Sequence, residues 1–130
     1  MTQILLVALG GAIGAVCRFL TGLAIHRMAG RSKVLTGTVI ANALGCLIAG
    51  ILLGWFTATE QSGGGMGLFL TVGILGSYTT FSAFSLEVSQ LLKESWGELS
   101  AYLFLQLVLA ILLCAAGYIA TLWMLGGLNG

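Results

Sequence analysis

The residues of this 130-residue chain that could do chemistry are few and concentrated. From Gly73 to Ser85 the chain reads Gly-Ile-Leu-Gly-Ser-Tyr-Thr-Thr-Phe-Ser-Ala-Phe-Ser, and Ser77, Tyr78, Thr79, Thr80, Ser82 and Ser85 place six hydroxyls within nine residues. Gly and β-branched Thr weaken a helix here, so two half-helices around a break fit the run. A break frees main-chain N–H and C=O groups, which at membrane depth persist only when buried in protein or lining an aqueous path. Freed carbonyls suit a cation and freed N–H groups an anion. The alternative stays open that each Ser or Thr bonds back to the preceding turn and the helix runs on. Phe81 and Phe84, three apart, share a helix face with Ser82 and Ser85 one step round. The positive edge of an aromatic ring can touch an anion without a full countercharge, although packing against lipid or helices explains two Phe equally simply.

Asn42 lies deep in a charge-free stretch, where an amide must find partners, either as glue between helices or as part of a path. Tyr102, Gln106, Ala110, Cys114 and Tyr118 recur every four positions and offer one face as a hydrogen-bonding track or as packing glue. Arg18 can snorkel to the interface or attract anions at a pore mouth; Glu87 reads as an interfacial acid. Soluble-type catalysis is disfavoured. His26 and four acids are too few for a Ser/His/Asp, Cys/His or paired-carboxylate site. Cys17, Cys46 and Cys114 sit apart in apolar runs without metal-ligand or redox spacing.

The elements that must position these residues follow from composition. The chain is 58% hydrophobic and 7% charged, with 20 Gly, no Pro and a net charge of +1. Soluble domains are about a quarter charged, and nothing here suggests a nucleic-acid surface. Apolar stretches run over Ile4 to Ile25, Val34 to Phe56, Met66 to Leu92 and Leu99 to Leu125, each longer than the ~20 residues needed to cross the hydrocarbon core. Within them only Arg18 and Glu87 are charged, and Trp55, Trp96 and Trp123 mark span ends. The reading is an all-α membrane protein of one domain over residues 1–130, its third helix broken at the centre. Stripes Gly37, Ala41, Gly45, Ala49 and Thr38, Asn42, Cys46, Gly50, Gly54 let helices approach closely, with Gly10 and Gly14 a weaker face in span one.

Gly14-Ala-Val-Cys-Arg18-Phe19, Gly37-Thr38 with Asn42 and Gly45, and Gly73-x-x-Gly76-x-x-Thr79-Thr80-Phe81-Ser82-x-Phe84-Ser85-x-Glu87 together resemble the Fluc (CrcB) fluoride channels over the whole chain. The resemblance implies an antiparallel dimer of four-helix subunits that passively exports fluoride across a bacterial or archaeal-type plasma membrane. It implies a structural Na+ at the dimer centre, held by carbonyls of Gly76 and Thr79. Asn42, Phe81, Ser82, Phe84, Ser85, Tyr102 and Cys114 would belong to the ion pathway, with Arg18 and Thr38 at a vestibule. Ser77, Ala110 and Cys114 depart from the family's usual residues, and the last two remove hydroxyls from the fourth-helix track. The rival is a small multidrug-type proton-coupled exporter, which wants a membrane-embedded acid that spans one, two and four lack. A non-transporting assembly factor gives the hydroxyl run no role.

Charge adds a constraint on topology. Loops one and three carry Arg27, Arg31, Lys33 and Lys93, whereas the termini and loop two carry no Lys or Arg, which places both termini outside. So strong a bias strains dual insertion, and the partner is therefore expected to be either a second copy or an oppositely oriented paralogue.

Overall fold

The structure is a computed structural model that describes residues 1–30, 32–60 and 64–126; Arg31, counted above, lies outside them. The chain is all-α, with four helical segments long and apolar enough to span a membrane: Thr2–Ala29, Gly37–Thr59, Gly65–Glu94 and Trp96–Met124. The first and second of these are α1 and α2. The third comprises α3 (Gly65–Leu68), a π-helical stretch (Phe69–Leu75), α4 (Gly76–Tyr78) and α5 (Phe81–Glu94), and the last is α6 (Trp96–Met124). Between α4 and α5, Thr79 (φ −78°, ψ 154°) and Thr80 (φ −148°, ψ 118°) have extended backbones.

Local chemistry sets the ends. The chain leaves α1 at Gly30, whose φ of 60° costs a residue without a Cβ little. His26 and Arg27 lie in the last turn of α1 rather than in a loop, at the negative end of the helix dipole. Val34 and Leu35 precede α2 because Thr36 is its cap, with the Thr36 hydroxyl accepting the Val39 N–H at 3.3 Å. One residue, Ser95, separates α5 from α6: its N–H bonds the Leu91 carbonyl at 2.9 Å and its hydroxyl accepts the Glu98 N–H at 3.4 Å.

Apolar side chains gain nothing by leaving lipid for one another, so helix association rests on close backbone packing. α2 packs along α6, and α1 along the π-helical stretch and α4. A Cβ at Gly50 would strike the Cys114 carbonyl, and one at Gly14 the Ile74 carbonyl; at Gly10 it would lie 2.6 Å from the Phe69 carbonyl. Leu5, Leu9, Val16, Phe104 and Ile111 point outward as lipid-facing side chains should, and a small core gathers Val39, Leu91, Leu99 and Tyr102. Lys33 reaches Glu94 at 2.7 Å and Glu98 at 3.7 Å, tying the α1–α2 connector to the α5–α6 corner. The hydrogen bond to Glu94, then the charges of Glu94 and Glu98, raise the Lys33 pKa above its ordinary value.

Candidate ion pathway

Two threonines that leave the helix need partners for their main chain, and Asn42 on α2 supplies them. The Thr80 N–H donates to Asn42 Oδ1 at 2.9 Å, and Asn42 Nδ2 donates to the Thr80 carbonyl at 3.3 Å. The amide thus treats Thr80 as a neighbouring strand would. The Thr80 hydroxyl accepts the Ala83 N–H at 3.2 Å, capping α5, and lies 3.2 Å from the Ser82 hydroxyl.

These bonds have a consequence one turn earlier. In an uninterrupted helix the Thr80 N–H would bond the Gly76 carbonyl, and the Ala83 N–H the Thr79 carbonyl. Here both donors are diverted, to Asn42 Oδ1 and to the Thr80 hydroxyl. Gly76 and Thr79 are left with carbonyls that lack their helical donors, and both residues line one broad cavity. Among the described residues no three His, Cys, Asp or Glu side chains gather to hold a metal, and the oxygens bordering this cavity are neutral ones, main-chain carbonyls together with hydroxyl and amide side chains.

The broad cavity, about 790 Å³, is bounded by Asn42, Gly76, Thr79, Thr80, Phe81 and Phe84, with Gln106 and Ala110 on its α6 wall. A second cavity of about 420 Å³ holds Arg18, His26, Thr36, Thr38 and Glu87, and Thr80 lines both. Arg18 and Thr38, far apart in sequence, therefore share one wall with Glu87. That acid is half-buried rather than fully solvated, and it accepts hydrogen bonds from Thr36 at 2.8 Å and Thr38 at 2.5 Å.

The aromatic pair stands at the α5 N-terminus. Phe81 and Phe84 have ring centroids 5.6 Å apart, and Phe84 stacks on Tyr102 at 5.9 Å. Phe81 is 78% exposed in the single chain, and Ser82 and Ser85 are exposed beside it, so this side of the α5 N-terminus faces away from the chain's own helices. Tyr102 is fully buried, and its hydroxyl lies beside Glu87 and Thr36 without a well-formed hydrogen bond to either. Cys114 lies against Gly50 at the α2–α6 contact and lines neither cavity.

Gln106 was not among the site residues expected from the sequence. Its Oε1 is buried without a partner among the described residues, on the wall facing Asn42 and Phe84. The signal was available, since Gln106 is the strongly polar member of the four-residue repeat in α6. Likewise Thr36 and Glu87 gain a place that spacing did not assign. Chemically, the smaller cavity offers Arg18 beside a threonine-held Glu87, and the broader one offers amide, hydroxyl and aromatic-edge groups without a full charge.

The family described as "CrcB-like protein, Camphor Resistance (CrcB)" matches residues 5–118. A protein of Novosphingobium aromaticivorans named "Fluoride-specific ion channel FluC" is 45% identical over 104 residues, covering 78% of this chain and 80% of that one. Proteins of the same name from Caulobacter sp. (strain K31) and Methylobacillus flagellatus are 38% and 40% identical over 122 and 121 residues, each match covering at least 90% of both chains.

Proposed function

The chain belongs to the CrcB-like family, and from that membership we propose that it is a passive, fluoride-selective channel that exports fluoride from the cytoplasm and so gives fluoride resistance. The observation that carries the reading is the meeting of two cavities at Thr80. One brings Arg18 and Thr38 together, and the other brings Asn42 to Phe81 and Phe84. Fluoride is small and strongly hydrated, so it needs many fixed donors to replace its water, and a narrow row of such groups excludes wider halides. An inside-negative potential drives the anion out at ~2.3 kcal/mol per charge per 100 mV, so no coupled energy source is required.

A proton-coupled exporter finds no support among the relatives. Glu87, the acid within the apolar stretch Met66 to Leu92, has both oxygens occupied by threonine hydroxyls. No step of the proposed function makes or breaks a covalent bond, so it is not an enzyme's.

The channel works as an antiparallel pair in a bacterial or archaeal-type plasma membrane. Exposure of Phe81, Ser82 and Ser85 in the single chain supports a second subunit closing the path. A second copy is favoured over a paralogue because Asn42, Phe81, Ser82, Phe84 and Tyr102 of the family's pathway occur in this chain, although Ala110 and Cys114 depart from it. Na+ fits the carbonyls of Gly76 and Thr79, which have lost their helical donors; bound there, it would supply a fixed positive charge at the subunit junction.

Liposomes loaded with fluoride and holding the purified protein should release it when valinomycin and a potassium gradient set the potential, while chloride stays inside. Equal release of both halides would overturn the assignment. Labelling a cysteine placed at Ser32, in a chain lacking Cys17, Cys46 and Cys114, from both sides of the membrane supports dual insertion. Labelling from the cytoplasm alone points to a paired paralogue.

A further inference from the structure

Arg18 and Glu87 line the same 420 Å³ cavity with opposite charges, yet among the described residues Lys33 alone forms ion pairs. The reason lies in the hydrogen bonds of the acid. Thr38 donates to Oε1 and Thr36 to Oε2, so both carboxylate oxygens are held at the first turn of α2. Thr36 is suited to this by its own position. As the α2 cap its oxygen accepts the Val39 N–H, so its hydroxyl hydrogen is free to donate, and it donates to Glu87. The α2 N-terminus adds the positive end of a helix dipole beneath the carboxylate.

We infer that Thr36 is a positioning residue that, together with Thr38, sequesters the Glu87 carboxylate from Arg18 and so leaves the arginine unpaired for the incoming anion. The inference rests on the channel reading above. With the Thr36 hydroxyl lost, Glu87 Oε2 loses its donor while Thr38 still holds Oε1 and the Tyr102 hydroxyl lies close by, and the loosened carboxylate can turn within the shared cavity toward Arg18 or His26, the other charged or titratable groups lining it. An arginine paired with a carboxylate no longer focuses anions at the mouth. Lys33 does not take Arg18's place, since it is engaged with Glu94 and Glu98.

The test is a cycle of variants read in two ways. In liposome efflux, Thr36→Val should raise the half-saturating fluoride concentration about tenfold, the low end of what electrostatic focusing contributes, with maximal flux nearly unchanged. Thr36→Ser keeps the hydroxyl and should match the parent. In a Glu87→Gln background Thr36→Val should have no further effect, because there is no carboxylate to release. Independently of transport, an arginine-selective dicarbonyl, counted at Arg18 by mass spectrometry, should modify the Thr36→Val protein several-fold more slowly than the parent. An unchanged Thr36→Val variant in both readouts overturns the inference, as does an equal loss with Glu87→Gln present, which would make Thr36 only a helix cap. If the parent moves no fluoride, the channel reading fails while the dicarbonyl comparison still decides the role of Thr36.

Discussion

Replacing Asn42 by Ala tests whether one amide holds the two extended threonines. Thr80 is 8% exposed, and its N–H has Asn42 Oδ1 as acceptor at 2.9 Å. Leaving a buried donor unmade costs about 1–3 kcal/mol, and losing the 3.3 Å bond to the Thr80 carbonyl adds about 0.5–1.5 kcal/mol. The expected loss of stability is thus about 1.5–4.5 kcal/mol, seen as a lower detergent unfolding midpoint. The chain can recover part of this by returning the Thr80 N–H to the Gly76 carbonyl, and that repair consumes a carbonyl assigned to Na+. Either outcome should lower fluoride efflux by more than about tenfold, since a transition of 1.4 kcal/mol already changes a population tenfold. Asn42→Asp keeps the acceptor for the Thr80 N–H but sets an acid beside the Thr80 carbonyl and in the cavity. It should be more stable than Asn42→Ala and equally poor in flux. An Asn42→Ala protein with parental stability and parental efflux would refute the reasoning, because the amide would then be neither anchor nor pathway.

Phe81→Ile should cut fluoride efflux while leaving oligomeric state by size exclusion unchanged, because it removes a polarised ring edge from an exposed position without emptying a core. Gly50→Ala drives a methyl into the Cys114 carbonyl and should destabilise the α2–α6 contact by about 1–3 kcal/mol in denaturant unfolding, as overpacking does. Exchanging Na+ for a bulky organic cation during purification should weaken activity, whereas Thr79→Ser should leave it intact, since the carbonyl is main chain. For Lys33 the folded pKa is raised from 10.5, so its bridge to Glu94 is fully present below 10.5 and is lost as pH rises through the folded value. Because the pair is exposed, Lys33→Met should shift the unfolding midpoint slightly at neutral pH and less still in high salt.

What the sequence determined is what can be read one segment at a time. Four apolar runs broken by charge follow from the cost of leaving a main-chain polar group in lipid, and that cost holds whatever the neighbours are. Family membership was legible for a similar reason, since the run from Gly73 to Glu87 carries its pattern within one span. Small-residue stripes announced close packing, though not that Gly50 would meet the Cys114 carbonyl or Gly14 that of Ile74. Span ends shifted because caps are made by single side chains: Thr36 starts α2 after Val34 and Leu35, and Ser95 alone turns α5 into α6.

Tertiary structure decided the partners. Asn42 could have been glue or pathway until Thr80, 38 residues away, presented its main chain to it, and the amide now borders the cavity as well as bonding the backbone. Glu87 looked like a solvated interfacial acid because its own helix supplies no donor; the hydroxyls that hold it come from Thr36 and Thr38 on another element. A lone polar residue in a span has several affordable roles, and only the donor or acceptor that the fold brings within hydrogen-bond reach selects among them.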